Sequence, residues 1–487
     1  MARQTEFAWK AGIHGLAVLF ISVALIVVGG RGLSGAAASE GNPSDGVQSA
    51  IGRSWPDGSG VNTTSSVAEQ KPAFPLAIRP GERYLVDAAG KPFLIHGDTA
   101  WSLVGDLTRE EAEHYLEDRQ RRGFNTLLVN LIENRFSKQA PANAYGERPF
   151  LIDGDFATPN DDYFAHAEWI LRRAAEKGLA VLLAPAYLGN GGGSEGWYKE
   201  MKHSGPAKLR EYGQYLGRRF GSMPNIIWVH GGDYNPPDKS LVRAIVNGIR
   251  EFDPDALHTA HAAPGNAALD YWAGEAWLQI SNVYTYESVR EAASGQYARP
   301  EGLPFFLIES AYENEHGATE HRLRVQAYQA LLSGAAGQVF GNNPIWHFGG
   351  PGLYPTPTDW QGALGSRGTQ SMTHLRELFA ALPWWKLQPG GRLLVDGAGR
   401  GDEHVAAARA ADGSFAIVYL PTIRHVTIDL GKLAGPHITA RWFDPSSGRF
   451  SDASGSRLST EGLEGFRPTG RNDANLGDWI LVLTSHP

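Results

Sequence analysis

Apolar positions in this chain gather into short, nearly unbroken runs spaced roughly 20 to 55 residues apart, with stretches of helical period between them. The runs fall at Phe93–His96, Thr126–Leu131, Ala180–Tyr187, Ile226–Asp233, His258–Ala262, Leu278–Tyr284, Phe305–Glu309 and Gln338–Asn342. Runs that do not alternate predict strands buried on both faces, hence a parallel sheet clothed in helices. Helices are predicted over Thr108–Gly123, Asp162–Lys177, Lys208–Phe220, Ser240–Phe252 and His321–Leu332. The first of them carries its acids early and its bases late, as the helix dipole favours. Eight strand-then-helix units predict an α/β fold, a (β/α)8 TIM barrel over residues 76–390. An open doubly wound sheet would want a glycine-rich phosphate loop after its first strand, and HGDTAW at 96–101 is not one.

Past Trp384, Trp385 and Pro389 the runs become short and partly alternating, at Val405–Arg409, Ser414–Tyr419, Val426–Leu430, Ile438–Phe443 and Trp479–Leu483. Turn clusters such as Ala411-Asp412-Gly413 separate them, which predicts a small antiparallel β-sandwich domain over residues 391–487. At the other end, Arg3 and Lys10 precede the apolar run Gly15–Val28, and small residues follow through Ala36–Ala38. That layout predicts a signal peptide over residues 1–38 and a secreted or periplasmic protein, with no stable membrane insertion after cleavage and an uncleaved anchor as the alternative. The Gly/Ser/Asn-rich residues 39–75 read as a flexible linker.

Composition narrows the function. Cysteine is absent, which excludes disulfides, thiolate catalysis and cysteine-ligated metal centres. A formal net charge of −8 and the lack of a Lys/Arg cluster argue against nucleic acid as a partner. The 14 tryptophans and 17 tyrosines suit sugar rings, whose C–H faces stack on aromatic side chains.

Two runs end on a carboxylate: IIWVHGGD at Asp233 and FFLIE at Glu309. In a parallel barrel the strand tips share one mouth, so residues 309 − 233 = 76 positions apart can meet there. Paired carboxylates over one pocket are what glycosidic hydrolysis requires, one as acid and one as nucleophile or base. By analogy with barrel glycosidases that use strands four and seven, Asp233 takes the acid/base role and Glu309 the nucleophile role, with Glu313 as the rival to Glu309. Retention or inversion stays open. Other polar and aromatic groups at or just past the strand tips are candidates for holding a carbohydrate substrate: Asp98, Trp101, Asn130, Tyr187, His261, Tyr284, Glu313, Asn342 and Trp346. This chemistry needs no cofactor and no metal.

GDTAW at 97–101, TREEAEHYLEDRQRRGFN at 108–125, PNIIWVHGGDYNP at 224–236, IESAYEN at 308–314 and NNPIWHFG at 342–349 together resemble the apiosidase-like catalytic domain. The tail resembles the small β-domain, named for collagen binding, that often accompanies it. The resemblance implies a (β/α)8 glycoside hydrolase acting on plant-type or other complex glycans, with its catalytic pair on Asp233 and Glu309. Ile308-Glu309-Ser310 stands where a Glu-Pro pair is expected, and HTAHAAPG at 258–265 replaces a Tyr-His-Pro turn, which points to different sugar subsites. Two readings compete: a metal-dependent hydrolase using His96, Asp98, His230, His258 and His261, and a non-catalytic carbohydrate- or matrix-binding protein.

Overall fold

The computed structural model describes residues 71–486, so the expected signal peptide and most of the linker lie outside the described residues. Eight parallel strands form one sheet: β1 Ile95–Thr99, β2 Thr126–Asn130, β3 Ala180–Ala184, β4 Ile226–Gly231, β5 Leu257–His261, β6 Ser281–Tyr284, β7 Phe305–Glu309 and β8 Gly337–Phe340. Their order is β5-β4-β3-β2-β1-β8-β7-β6, which is a ring opened between β5 and β6. That seam is bridged by Thr259 Oγ1 donating to Ile280 O (2.8 Å) and Asn282 Nδ2 donating to Ala260 O (2.6 Å). With Gln279 N and Ile280 N donating to His258 O, these side chains close the barrel where the regular ladder lapses.

A helix follows each strand: α1 Arg109–Arg121, α2 Asp161–Glu176, α3 Tyr198–Phe220, α4 Ser240–Arg250, α5 Ala268–Trp272, α6 Val289–Tyr297, α7 Glu320–Leu332 and α8 Arg367–Ala380. Thr108 caps α1 in a reciprocal box with Glu111, satisfying two backbone donors that a helix start otherwise leaves bare. The strands separate two apolar layers, as their unbroken runs require. Ile95, Leu128, Leu182, Ile227, Val229, Phe306, Ile308 and Val339 fill the interior, while Leu127, Val129, Val181, Leu183 and Trp228 pack outward against helices.

Strand β1 sits two to three residues later than its apolar run suggests, because Pro92–Phe93 pairs with Leu85–Val86 in a separate small antiparallel sheet. Asp98 thus lies inside the strand rather than beyond its tip.

The C-terminal part is antiparallel. One sheet runs β9 Leu387–Pro389, β11 Ala406–Ala410, β12 Phe415–Leu420, β17 Trp479–His486, β14 His437–Phe443 and β15 Phe450–Asp452, with Leu458–Ser459 added beside β14. A three-stranded sheet, β10 Leu394–Asp396, β13 Val426–Asp429 and β16 Leu463–Phe466, completes the sandwich. Val418, Leu420, Trp442 and Leu481 of the large sheet meet Val426, Ile428 and Phe466 of the small one. Its other face, through Phe415, Ile417, Tyr419, Ile480 and Val482, packs on Leu323, Tyr328 and Leu331 of α7 and on Met372, Leu375 and Phe379 of α8. Because both faces are covered, FAIVYL at 415–420 is buried at every position and shows no alternation.

A fully buried polar lock sits within this contact, which also carries His321 Nε2 against Pro421 O (2.9 Å) and an Arg322–Asp402 ion pair. Arg324 of α7 donates from Nε and Nη2 to Asp478 (2.6 and 2.8 Å), and both side chains are fully buried. Tyr419 Oη and Asn472 Nδ2 also donate to the Asp478 carboxylate, and Arg324 Nη1 donates to Ser371 Oγ.

Candidate active site

At the mouth of the barrel the chain turns sharply after β4. Gly231, Gly232 and Asp233 take φ of 94°, 122° and 45°, a left-handed stretch that ordinary side chains resist. A Cβ on Gly232 would fall 2.2 Å from Tyr187 Cδ2, and one on Gly231 would fall 2.4 Å from His261 O. The double glycine of HGGD is therefore a packing requirement, and the strained Asp233 backbone aims its carboxylate across the mouth.

Glu309 arrives by a different device. Phe305 and Leu307 face the outer helices, and strict alternation would send Glu309 the same way. The pairing of β7 with β6 instead slips between Leu307 and Glu309, so that Glu309 faces Tyr284. This irregularity turns the carboxylate into the mouth, a common use of a bulge next to a functional site.

His261, at the tip of β5, lies between the two acids. Its Nε2 is 3.0 Å from Glu309 Oε2 and its Nδ1 is 3.6 Å from Asp233 Oδ1. One side-chain atom from each of the three lies within 4.8 Å of the other two. Tyr187 Oη donates to Asp233 Oδ2 (2.8 Å), Tyr286 Oη donates to Glu309 Oε1 (3.0 Å), and Tyr284 Oη is 3.1 Å from Tyr286 Oη. Trp101 forms a wall, with its ring 6.0 Å from Tyr187 and 5.7 Å from His261 and its Nε1 donating to Tyr312 Oη. Tyr284 packs edge-on to His261 at 4.8 Å.

The electrostatics follow from crowding. Burial, then the charge of Glu309, pushes the Asp233 carboxyl up to about 6, against the opposing pull of His261 and Tyr187. Burial alone would lower the His261 pKa, but the hydrogen bond and charge of Glu309, with Asp233 adding, raise it above its ordinary value. An Asp233 carboxyl raised in this way beside an imidazole is an arrangement that acid/base chemistry uses.

The predicted contacts divide into three groups. Trp101, Tyr187, His261 and Tyr284 assemble around Asp233 and Glu309. Asn130 and Trp346 lie nearby: Asn130 has the interior parity of Leu128 and an Oδ1 with no partner among the described residues, and Trp346 joins the aromatic cluster of Trp101, Tyr284 and Tyr312. Asp98, Glu313 and Asn342 are corrections. Asp98 points outward into the helix layer, where Tyr115 Oη (2.6 Å) and Arg119 Nη1 (3.2 Å) of α1 donate to it with no exposure on either side of the ion pair. Glu313 accepts from Gly368 N, Ser366 Oγ and Asn342 Nδ2, so both residues serve the N-terminus of α8 rather than a ligand.

The wider histidine set does not assemble either. His96 stacks on Phe124, and His230 stacks on His258 with Nε2 2.8 Å from Nδ1, all buried outside the barrel interior. Only His261 of that set reaches the mouth. Sequence reasoning missed Tyr286 and Tyr312. The spacing Tyr284-x-Tyr286 carries a usable signal, since i and i+2 share a face of an extended chain.

Gly232→Ala tests how tightly this geometry is held. The added methyl must displace the Tyr187 ring, and a shift of about 1 Å at a reacting group can cost about 10²-fold in rate. Because the methyl also sits on a backbone held at φ 122°, a native-like circular dichroism spectrum, a lowered unfolding midpoint and turnover reduced on that scale are the expected results.

Among known proteins the fold and this acidic mouth define a class, the barrel glycoside hydrolases. The chain belongs to the apiosidase-like family, whose catalytic-domain profile matches residues 79–386. A second profile, described as "Putative collagen-binding domain of a collagenase", matches residues 389–484. Two solved structures share the fold. One is a glycoside hydrolase at 24% identity and TM-score 0.75, covering 85% of this chain and 99% of its own. The other is a family 5 glycoside hydrolase from Bacteroides vulgatus ATCC 8482 at 22% identity and TM-score 0.75, covering 86% and 95%. Among curated proteins, none matches this sequence. The family makes the protein a glycoside hydrolase with a carbohydrate substrate.

Proposed function

We propose that the protein hydrolyses a glycosidic bond in a plant-type or related complex glycan, apiosides first among them, with retention of configuration. The observation that carries this reading is the His261-bridged approach of Asp233 and Glu309, with side-chain atoms within 4.8 Å of each other. Retaining enzymes hold their carboxyl groups about 5–5.5 Å apart, whereas inverting enzymes need about 6.5–9.5 Å to admit a water. The close pair favours retention.

In the first half-reaction Glu309 attacks the anomeric carbon while protonated Asp233 gives its proton to the departing glycosidic oxygen. A covalent glycosyl ester on Glu309 and a free alcohol result. In the second, Asp233 takes a proton from water as the water oxygen displaces Glu309 from the anomeric carbon, and both groups return to their starting states. Tyr286 and His261 orient the Glu309 oxygens by hydrogen bonds. Tyr187 holds Asp233. Trp101, Tyr284 and Trp346 offer apolar faces to the ring.

Because Asp233 must carry a proton before bond cleavage, kcat/KM is expected to fall as pH rises through about 6. Assay of an aryl glycoside panel led by apiosides, with NMR detection of the first-formed anomer, tests the scheme. An inverted product would refute retention. The same three side chains are spaced to hold a divalent cation, so the assay is run with and without chelator, and chelator-sensitive turnover would favour metal-assisted hydrolysis instead.

The apolar run Gly15–Val28 followed by Ala36–Ala38 supports export of the enzyme. Activity in the medium or periplasm that disappears when residues 1–38 are deleted is the expected sign.

A further inference from the structure

A third carboxyl group stands at the mouth and has no place in the scheme above. Glu315 lies in the loop after β7, half-buried, with Oε1 accepting from Trp346 Nε1 at 2.8 Å. Trp346 is itself 5% exposed and belongs to the cluster of Trp101, Tyr284 and Tyr312 around the catalytic pair. No described group donates to the other Glu315 oxygen. The backbone is bent to bring the residue there. Asn314 and His316, on either side, take φ of 69° and 49°, conformations that cost free energy in residues other than glycine.

Separate contacts hold that bend. Asn314 Nδ2 donates to Asn343 O (2.9 Å), Ala318 N donates to Glu315 O (2.8 Å), and His316 Nε2 lies 2.7 Å from Tyr354 Oη with the rings 4.6 Å apart. Strain of this kind persists where surrounding structure enforces it, and it gathers at ligand-binding positions.

Resting on the glycosidase reading, we infer that Glu315 is a substrate-binding residue that sets sugar specificity, its free oxygen engaging a hydroxyl of the sugar whose ring lies against Trp346. Burial, together with the charge of Glu309 and against the hydrogen bond from Trp346, pushes the Glu315 carboxyl up to about 7. A carboxyl of that affinity near neutral pH serves a hydroxyl both as donor and as acceptor. An amide does the same with fixed roles: a glutamine accepts from Trp346 through its oxygen and donates to the sugar through its nitrogen. Alanine does neither, and leaves the Trp346 indole N–H without its acceptor.

The test compares Glu315→Gln and Glu315→Ala with wild type by two readouts. With 4-nitrophenyl apioside, Glu315→Ala is expected to raise KM about tenfold with a smaller change in kcat, the loss of one hydrogen bond to a charged or strongly polar group. Glu315→Gln is expected to stay within about threefold of wild-type KM on the same reasoning. Tryptophan fluorescence titrated with free apiose and xylose reads binding without turnover, and the same ranking is expected there. If no glycoside is turned over but sugar binding weakens in Glu315→Ala alone, the hydrolase reading falls and this inference stands. Equal binding by wild type and Glu315→Ala, a Glu315→Gln variant as weak as alanine, or no sugar response in the wild type would each overturn it.

Discussion

Replacing Glu309 by glutamine should lower turnover by about 10⁴-fold or more, equivalent to about 5 kcal/mol of transition-state stabilisation, while the protein unfolds close to the wild-type midpoint. The amide is nearly isosteric and can still receive the Tyr286 hydroxyl, so the pocket keeps its shape but loses its nucleophile. The matching change at Asp233, to asparagine, should cost about 10²–10⁴-fold and should spare substrates whose leaving groups need no proton. The basic limb near pH 6 should vanish with it. Steady-state rates on an aryl glycoside with a good leaving group and one with a poor leaving group separate the two roles. Near-normal rates in either variant would remove that residue from the scheme.

The largest effect on stability is expected far from the mouth. Asp478→Ala should destabilise the protein by about 3–5 kcal/mol, since it strands the Arg324 guanidinium in a fully buried site. Among the described residues only Ser371 Oγ would remain as a side-chain hydrogen-bond partner for Arg324, and Tyr419 and Asn472 would lose their shared carboxylate acceptor. Thermal unfolding should move down by several degrees while kcat/KM at 25 °C changes little. Replacing both partners together, as Arg324→Met with Asp478→Leu, should recover much of the loss, because an apolar pair escapes the penalty of a bare charge. A double variant no better than the single one would show that the surrounding hydrogen bonds, rather than the unpaired charge, set the cost.

Much of the fold was legible because buried parallel strands write themselves as unbroken apolar runs, and the catalytic candidates were legible because two such runs end in acids. What the sequence concealed was direction. Nothing in FFLIE announces the slip that turns Glu309 inward, because a bulge depends on pairing with β6 and not on residue type. Asp98 was misread for a related reason. Its partners Tyr115 and Arg119 are four apart on one face of α1, a spacing that marks a shared target only once the strand's outward parity is known. Glu313 and Asn342 were misassigned because a polar strand tip can serve a substrate or a helix start equally well, and the choice is settled by where α8 begins. In the tail, the missing alternation of Phe415–Leu420 reflects the barrel helices covering its second face.

The sandwich places its last-made strand at its centre: β17, residues 479–486, lies between β12 and β14, and Asp478 immediately precedes it. During synthesis on the ribosome the earlier strands therefore wait, unjoined, for residues 478–486 to emerge, and Arg324 waits with them for its counter-ion. Shortened versions cut before residue 478 would leave α7 and α8 bearing an uncovered aliphatic surface and a naked guanidinium. Such products are better clients for chaperones than starting points for an isolated catalytic barrel.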